Sequence, residues 1–162
     1  MTIQKEKIWS ILKEIPDPEI PVISIVDLGI ARDVRIENDK VTVDITPTYS
    51  GCPAMNVIEK EIIQKIKETG ITEVEIKTVF SPVWTTDWLT DEAKEKLREY
   101  GIAPPEKTST DKSLLTGKPK IISCLRCGSE KTILVSQFGS TACKALYKCE
   151  TCLEPFDYFK CH

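Results

Sequence analysis

Four cysteines near the C-terminal end of the sequence, Cys124, Cys127, Cys149 and Cys152, form two Cys-x2-Cys pairs separated by 21 residues. Each pair can present two thiolates from one tight turn, and two such turns facing each other make the tetrahedral sulfur cage that Zn2+ favours. The gap is slightly longer than usual for such a module and accommodates a β-hairpin between the knuckles. Gly128 follows the first pair, where the backbone bends towards a metal and a residue without Cβ is at an advantage. An iron site on the same thiolates stays open at this point, because sulfur geometry alone does not separate the two metals. Either way the protein fills all four positions, so the metal has no place for a substrate and is structural. Cys143, beside Lys144, reads as a small buried thiol; it and Cys161, which precedes the terminal His162, are auxiliary thiol candidates.

The seventh cysteine stands alone. Cys52 lies in Thr46-Pro47-Thr48-Tyr49-Ser50-Gly51-Cys52-Pro53, between an expected strand and an expected helix, at or near the helix N-cap. Unpaired backbone donors and the positive end of the helix dipole favour anionic sulfur there. Cys52 is thus either a reactive or metal-binding thiol or a serine-like cap packed on the hairpin. Asp17-Pro18-Glu19 offers two carboxylates around a proline turn, either as oxygen ligands or as caps of the next element. The single histidine is terminal, which argues against a Ser-His-Asp or Cys-His arrangement, so no catalytic residue is assigned.

The elements that must position these residues follow from periodicity. Ile8, Leu12 and Ile15 mark a helix over residues 3–15 that stops at Pro16-Asp17-Pro18. Val34 and Ile36, then Val41, Val43 and Ile45, alternate around Asn38-Asp39 and predict a β-hairpin. A second helix runs from about residue 53 to 69, with Pro53 near its first position, Ile58, Ile62 and Ile66 inward, and Gly70 as its stop. Val74 and Ile76, extended by Thr78 and Phe80, make a third strand. Thr90 caps a third helix with Asp91 and Glu92 in its first turn, ending at Gly101. Trp84 and Trp88 are either core anchors or a contact for a partner. The fold class is α+β: an α-β-β-α-β-α domain over residues 1–102 with a mixed sheet of three or more strands, a linker over 103–120 rich in Pro, Ser, Thr and Lys, and a zinc-ribbon β module over 121–162.

Composition narrows the function classes. No apolar run is long enough to span a bilayer, and the N-terminal segment mixes charge with apolar residues instead of forming a secretory leader, so no membrane association is expected and the location is cytoplasmic, where thiols stay reduced. Residues 1–102 hold 13 Lys and Arg against 19 Asp and Glu, and residues 121–162 hold 5 against 4. Four ligand thiolates add further negative charge, so the basic face of a nucleic-acid-binding ribbon is missing.

Asp17-Pro18-Glu19-Ile20-Pro21, Asp27-Leu28-Gly29-Ile30 and Thr46-x-Thr48-Tyr49-Ser50-Gly51-Cys52-Pro53 together resemble the small domain of cytosolic iron-sulfur assembly factors of the SufT type, over about residues 3–80. The run Pro82-Val83-Trp84-Thr85-Thr86-Asp87-Trp88-Leu89, the segment Tyr100-Gly101-Ile102-Ala103-Pro104-Pro105, the ribbon and the ending Glu154 to Cys161 are similar to one subgroup, the PaaD (PaaJ) accessory subunits of phenylacetyl-CoA 1,2-epoxidase systems. Val83 departs from the proline expected before the tryptophan. The resemblance implies an accessory role in aerobic phenylacetate catabolism, not an enzyme by itself, assisting the iron-sulfur component of the oxygenase and reductase subunits or acting with iron-sulfur assembly machinery. It maps the family's acidic and cysteine positions onto Asp17 and Cys52, with Glu19 beside them, and implies transient iron or cluster binding besides structural Zn2+. A structural scaffold and a general maturation factor are the alternatives, and a homodimer is compatible with either.

Overall fold

The computed structural model describes residues 2–49, 51–105, 121–141 and 143–159. The chain divides into two compact units, Met1–Thr90 and Asp91–His162.

In the first unit, helix α1 (Lys5–Lys13) and helix α2 (Ala54–Lys67) pack with a three-stranded sheet of order β1-β2-β3. Strands β1 (Ala31–Glu37) and β2 (Lys40–Ile45) form the expected hairpin. Asn38 and Asp39, between Glu37 and Lys40, both have positive φ (48° and 68°), the geometry whose twist matches that of the flanking strands. Strand β3 (Glu73–Thr78) runs parallel to β2, with α2 as the crossover. Val41, Val43 and Ile45 of β2 are fully buried, as are Ile8 and Leu12 of α1 and the Ile58, Ile62, Ile66 stripe of α2. Each such side chain contributes roughly 1.5–3 kcal/mol of transfer free energy. The alternate residues of the strands are polar and pair across the sheet, Arg35 with Asp44 (2.6 Å) and Lys40 with Glu75 (2.8 Å).

Both helices are shorter than their hydrophobic periods suggest. Ile15 is fully buried although α1 ends at Lys13, because its N–H has turned back to the Leu12 carbonyl and its own carbonyl accepts from Ile25. The segment from residue 16 to 30 has neither helical nor strand period, yet Ile20, Ile23, Ile25, Leu28 and Ile30 are all buried. Trp84 is buried too, its indole Nε1–H donating to the Leu28 carbonyl at 2.8 Å, and so anchors the core. Trp88, in a 3-10 turn (Thr86–Trp88), is half-buried under the Arg32 guanidinium, 3.8 Å from the ring centre.

The second unit contains helix α3 (Asp91–Tyr100) and a four-stranded sheet of order β4-β7-β6-β5: β4 (Ile102–Ala103), β5 (Thr132–Ser136), β6 (Lys144–Cys149) and β7 (Pro155–Phe159). Helix α3 and the pair Ile102–Ala103, read from sequence with the first domain, therefore group with the ribbon strands, because β4 hydrogen-bonds in parallel to β7. The ribbon buries Ile122, Ala145, Tyr147, Phe156 and Tyr158 around Cys124 and Cys149. Tyr147 stacks with Phe156 (6.0 Å between centroids) and meets Tyr158 edge-on (5.8 Å). Most of the expected linker, Cys161 and His162 lie outside the described residues. Among the described residues, no helix is long and apolar enough to cross a membrane.

Candidate functional site

One knuckle precedes β5 and the other is at the end of β6, and the antiparallel β5-β6 pairing, with Thr132 opposite Cys149, brings both to the same end of the hairpin so that the cysteine pairs meet. The four sulfur atoms lie within 4.8 Å of one another. Cys124 Sγ is 3.7 Å from Cys152 Sγ, and Cys127 Sγ is 3.6 Å from Cys149 Sγ. A tetrahedron with metal–sulfur bonds of about 2.3 Å has edges of about 3.8 Å, so these separations fit four thiolates on one ion. They are far too long for disulfides, which need about 2.05 Å.

Local backbone explains why the thiols converge. Each knuckle folds amide donors onto its leading sulfur: the Arg126 N–H on Cys124 Sγ (3.4 Å), and the Thr151 and Cys152 N–H groups on Cys149 Sγ (3.4 and 3.5 Å). Each then closes with a residue of positive φ, Gly128 (74°) after the first and Leu153 (65°) after the second. The first needs no side-chain strain, as glycine occupies it; the second places a non-glycine residue there at a cost of about 1 kcal/mol.

The same donors bias the thiols towards ligand form. Cys149 is brought down to about 6, by the Cys152 N–H first and then the Thr151 N–H acting against burial. Cys124 is lowered chiefly by the Cys127 N–H, with the Arg126 N–H adding to it against burial. At Cys152 the Glu154 N–H also lowers, but burial and the neighbouring thiols Cys124, Cys149 and Cys127 outweigh it and push the group up to about 12. Without an ion the cluster thus keeps at least one proton; an ion replaces it.

Cys143 is buried and is not a member of this four-thiol cluster among the described residues. Cys52 is half-buried, one residue before the Pro53 that precedes α2, so it is not the cap residue itself. Its carbonyl accepts the Met55 N–H (3.3 Å), and its N–H donates to the Tyr49 carbonyl (3.3 Å). The cap residue of α2, Pro53, makes no side-chain hydrogen bond to the helix, and the first turn of α2 contains no acidic residue.

Asp17 is buried, and its Oδ1 accepts the N–H groups of Glu19 (2.9 Å) and Ile20 (2.8 Å). The Asp17 N–H in turn donates to the Ile23 carbonyl (2.9 Å), so this carboxylate organises the turn that carries the half-buried Glu19. Among the described residues, Cys52, Asp17 and Glu19 do not form a three-ligand cluster. Phe80 and Val83 were not legible as surface residues. Strand β3 ends at Thr78 instead of continuing through Phe80, and both side chains are exposed.

Residues 5–77 match the family model for "Iron-sulfur cluster assembly protein", and residues 108–160 match "PaaD zinc beta ribbon domain". The chain is similar, at 49% identity over 98% of its length and 93% of the relative's, to an Escherichia coli (strain K12) protein provisionally named as a subunit of 1,2-phenylacetyl-CoA epoxidase. It is 42% identical to the Fe-S protein maturation auxiliary factor SufT of Staphylococcus aureus (strain USA300), over 48% of this chain and 90% of that one. Among solved structures it resembles a domain of unknown function from Bacillus anthracis (27% identity, 57% of this chain, 90% of that one, TM-score 0.54). It also resembles a conserved hypothetical protein from Thermotoga maritima (31%, 60% and 98%, TM-score 0.51).

Proposed function

The chain belongs to the PaaD family of phenylacetyl-CoA epoxidase subunits, and from that premise we propose that it is a non-catalytic accessory protein of such an epoxidase, assisting assembly or maintenance of the iron-sulfur cluster in the reductase or oxygenase partner. The observation that carries this reading is the placement of Cys52. It is a half-buried thiol on a loop without charged residues, ahead of a helix whose first turn holds no acidic residue. A single thiolate of that kind ligates iron or a cluster without enclosing it, and so can pass it on. Asp17 holds the turn that carries Glu19 through its two hydrogen bonds, and in this reading Glu19 supplies an oxygen ligand during transfer. The family model over residues 5–77, which include Asp17, Glu19 and Cys52, and the similarity to maturation auxiliary factors support this assignment. Zn2+ is the ion we assign to Cys124, Cys127, Cys149 and Cys152; with every position filled by protein it staples the ribbon and takes no part in exchange. The reading also places the protein in the cytoplasm, where Cys52 stays reduced.

The test is co-production of the reductase with either the wild-type chain or Cys52→Ser. The expected result is a severalfold loss of iron and acid-labile sulfide per flavin in the reductase, while the circular dichroism and Tm of the variant match wild type. Equal cluster occupancy with the two chains overturns the proposal.

A further inference from the structure

The segments that leave the C-terminal ends of the parallel strands β2 and β3 share one edge of the sheet. Ile45 is in register with Thr78, and the Val79 N–H donates to the Ile45 carbonyl at 2.8 Å. The Thr46 N–H donates to the carbonyl of Ile30, the residue just ahead of β1, at 2.9 Å. Residues 46–58 and 78–86 contain no charged side chain, although 29% of the chain is charged. Chance placement would put about six charges there at that overall density.

This edge is also where apolar side chains stand in water. Phe80 is 67% and Val83 75% exposed, flanking a tryptophan that is 2% exposed, and Val57, in the first turn of α2, is 46% exposed. Cys52 lies on the first uncharged segment, and Phe80 and Val83 on the second. Depletion of charge together with an exposed aromatic is the composition of an interface centre, not of a solvated loop.

We infer that this edge docks the iron-sulfur acceptor protein through an uncharged, apolar face of that partner, with Phe80 and Val83 as anchors and Cys52 inside the contact. The inference rests on the accessory role proposed above and specifies the partner surface at the same site. Lack of charge sets that surface. A partner presenting Lys, Arg, Asp or Glu would bury each of them on these two segments without an opposite charge, at a cost that selects against it. Nucleic acid and anionic membranes are disfavoured for the same reason, since both are held through basic residues. Docking around the thiol also brings the acceptor's ligand cysteines to Cys52.

The experiment measures binding of the full-length chain to the immobilised cluster-free reductase subunit, at low and at high salt. Wild type binds with an affinity that changes little with salt. Phe80→Asp/Val83→Asp weakens binding about 100-fold or more, the effect expected for loss of two anchors, and Glu73→Gln, an exposed residue at the opposite end of β3, binds as wild type does. Phe80→Ser/Val83→Ser, which adds no charge, is read alongside, and both double variants are checked for unchanged Tm. The inference is overturned if wild type does not bind, if both double variants bind like wild type, if binding collapses with salt, or if sedimentation shows a wild-type dimer that the double variants abolish. The last outcome assigns the surface to a second copy of the chain. If docking depends on Phe80 and Val83 while Cys52→Ser leaves cluster content intact, the docking surface stands and the accessory role fails.

Discussion

Replacing Cys149 by Ser removes the most deeply seated of the four ribbon thiols. Its residue is fully buried, its sulfur accepts two backbone N–H groups, and it lies 3.6 Å from Cys127 Sγ. A structural zinc ion in a small module contributes on the order of 10–16 kcal/mol of apparent binding free energy. Whole domains are stable by only about 5–15 kcal/mol. The core around Tyr147, Phe156 and Tyr158 therefore has too little of its own to hold the ribbon together once the ion is lost. Cys149→Ser is expected to drop the metal content from one ion per chain towards zero by native mass spectrometry, and to abolish the near-ultraviolet contribution of the Tyr147, Phe156 and Tyr158 cluster. Co2+ substituted into wild type should give the intense visible absorption of a tetrahedral tetrathiolate. The pH dependence has a definite sign. Above about 6, Cys149 enters the site already ionised; below it, one more proton must leave on binding. Metal affinity thus falls as pH falls, with an added factor of about ten per pH unit on the acid side. Affinity that rises on acidification, a Cys149→Ser chain that keeps its full metal content, or a wild-type chain purified with disulfides among these four residues would refute the reasoning.

Two further predictions concern the frame behind Cys52. Gly29 has a φ of +79°, and a Cβ placed on it would lie 2.9 Å from Trp88 Cβ; Gly29→Ala should cost about 2–4 kcal/mol from backbone strain plus overpacking, read as a lower denaturant midpoint. Trp84→Phe keeps most of the buried ring but leaves the Leu28 carbonyl without the indole donor; a loss of about 1–3 kcal/mol is expected in the same titration, and an unchanged midpoint would mean that the hydrogen bond contributes nothing.

How far these features could be read from sequence depends on how local their causes are. The hairpin turn at Asn38-Asp39, the Ile58, Ile62, Ile66 stripe and the paired knuckles were legible because each is set by residues within a few positions of one another. The segment from 16 to 30 was not. Its five buried aliphatic residues follow no period, and its shape comes from Asp17 gathering two amides and from Ser24 and Asp27 exchanging hydrogen bonds, at 3.2 Å to Asp27 Oδ2 and 3.1 Å to Ser24 Oγ. The choice between core and surface for Trp84 depended on a carbonyl 56 positions away. The end of β3 was equally hidden, because in sequence Phe80 continues the alternation of Val74, Ile76 and Thr78, although the strand stops at Thr78 and the Phe80 side chain is exposed.

The arrangement of thiols separates retention from exchange. In the ribbon, four sulfur atoms at tetrahedral spacing, with amide donors already aimed at Cys124 and Cys149, leave an ion no free position. Such a site suits permanent retention. Exchange needs the opposite: few ligands from the donor, one accessible face, and a receiving protein held close enough to complete the coordination. In the proposed role Cys52 meets the first two conditions, being a half-buried thiol outside the four-cysteine cluster, just ahead of α2. The third falls to the uncharged edge with Phe80 and Val83. If that division is right, stripping the ribbon ion and removing the Cys52 thiol give different defects: the first unfolds the module around Tyr147, and the second leaves every buried contact in place and fails only when an acceptor is supplied.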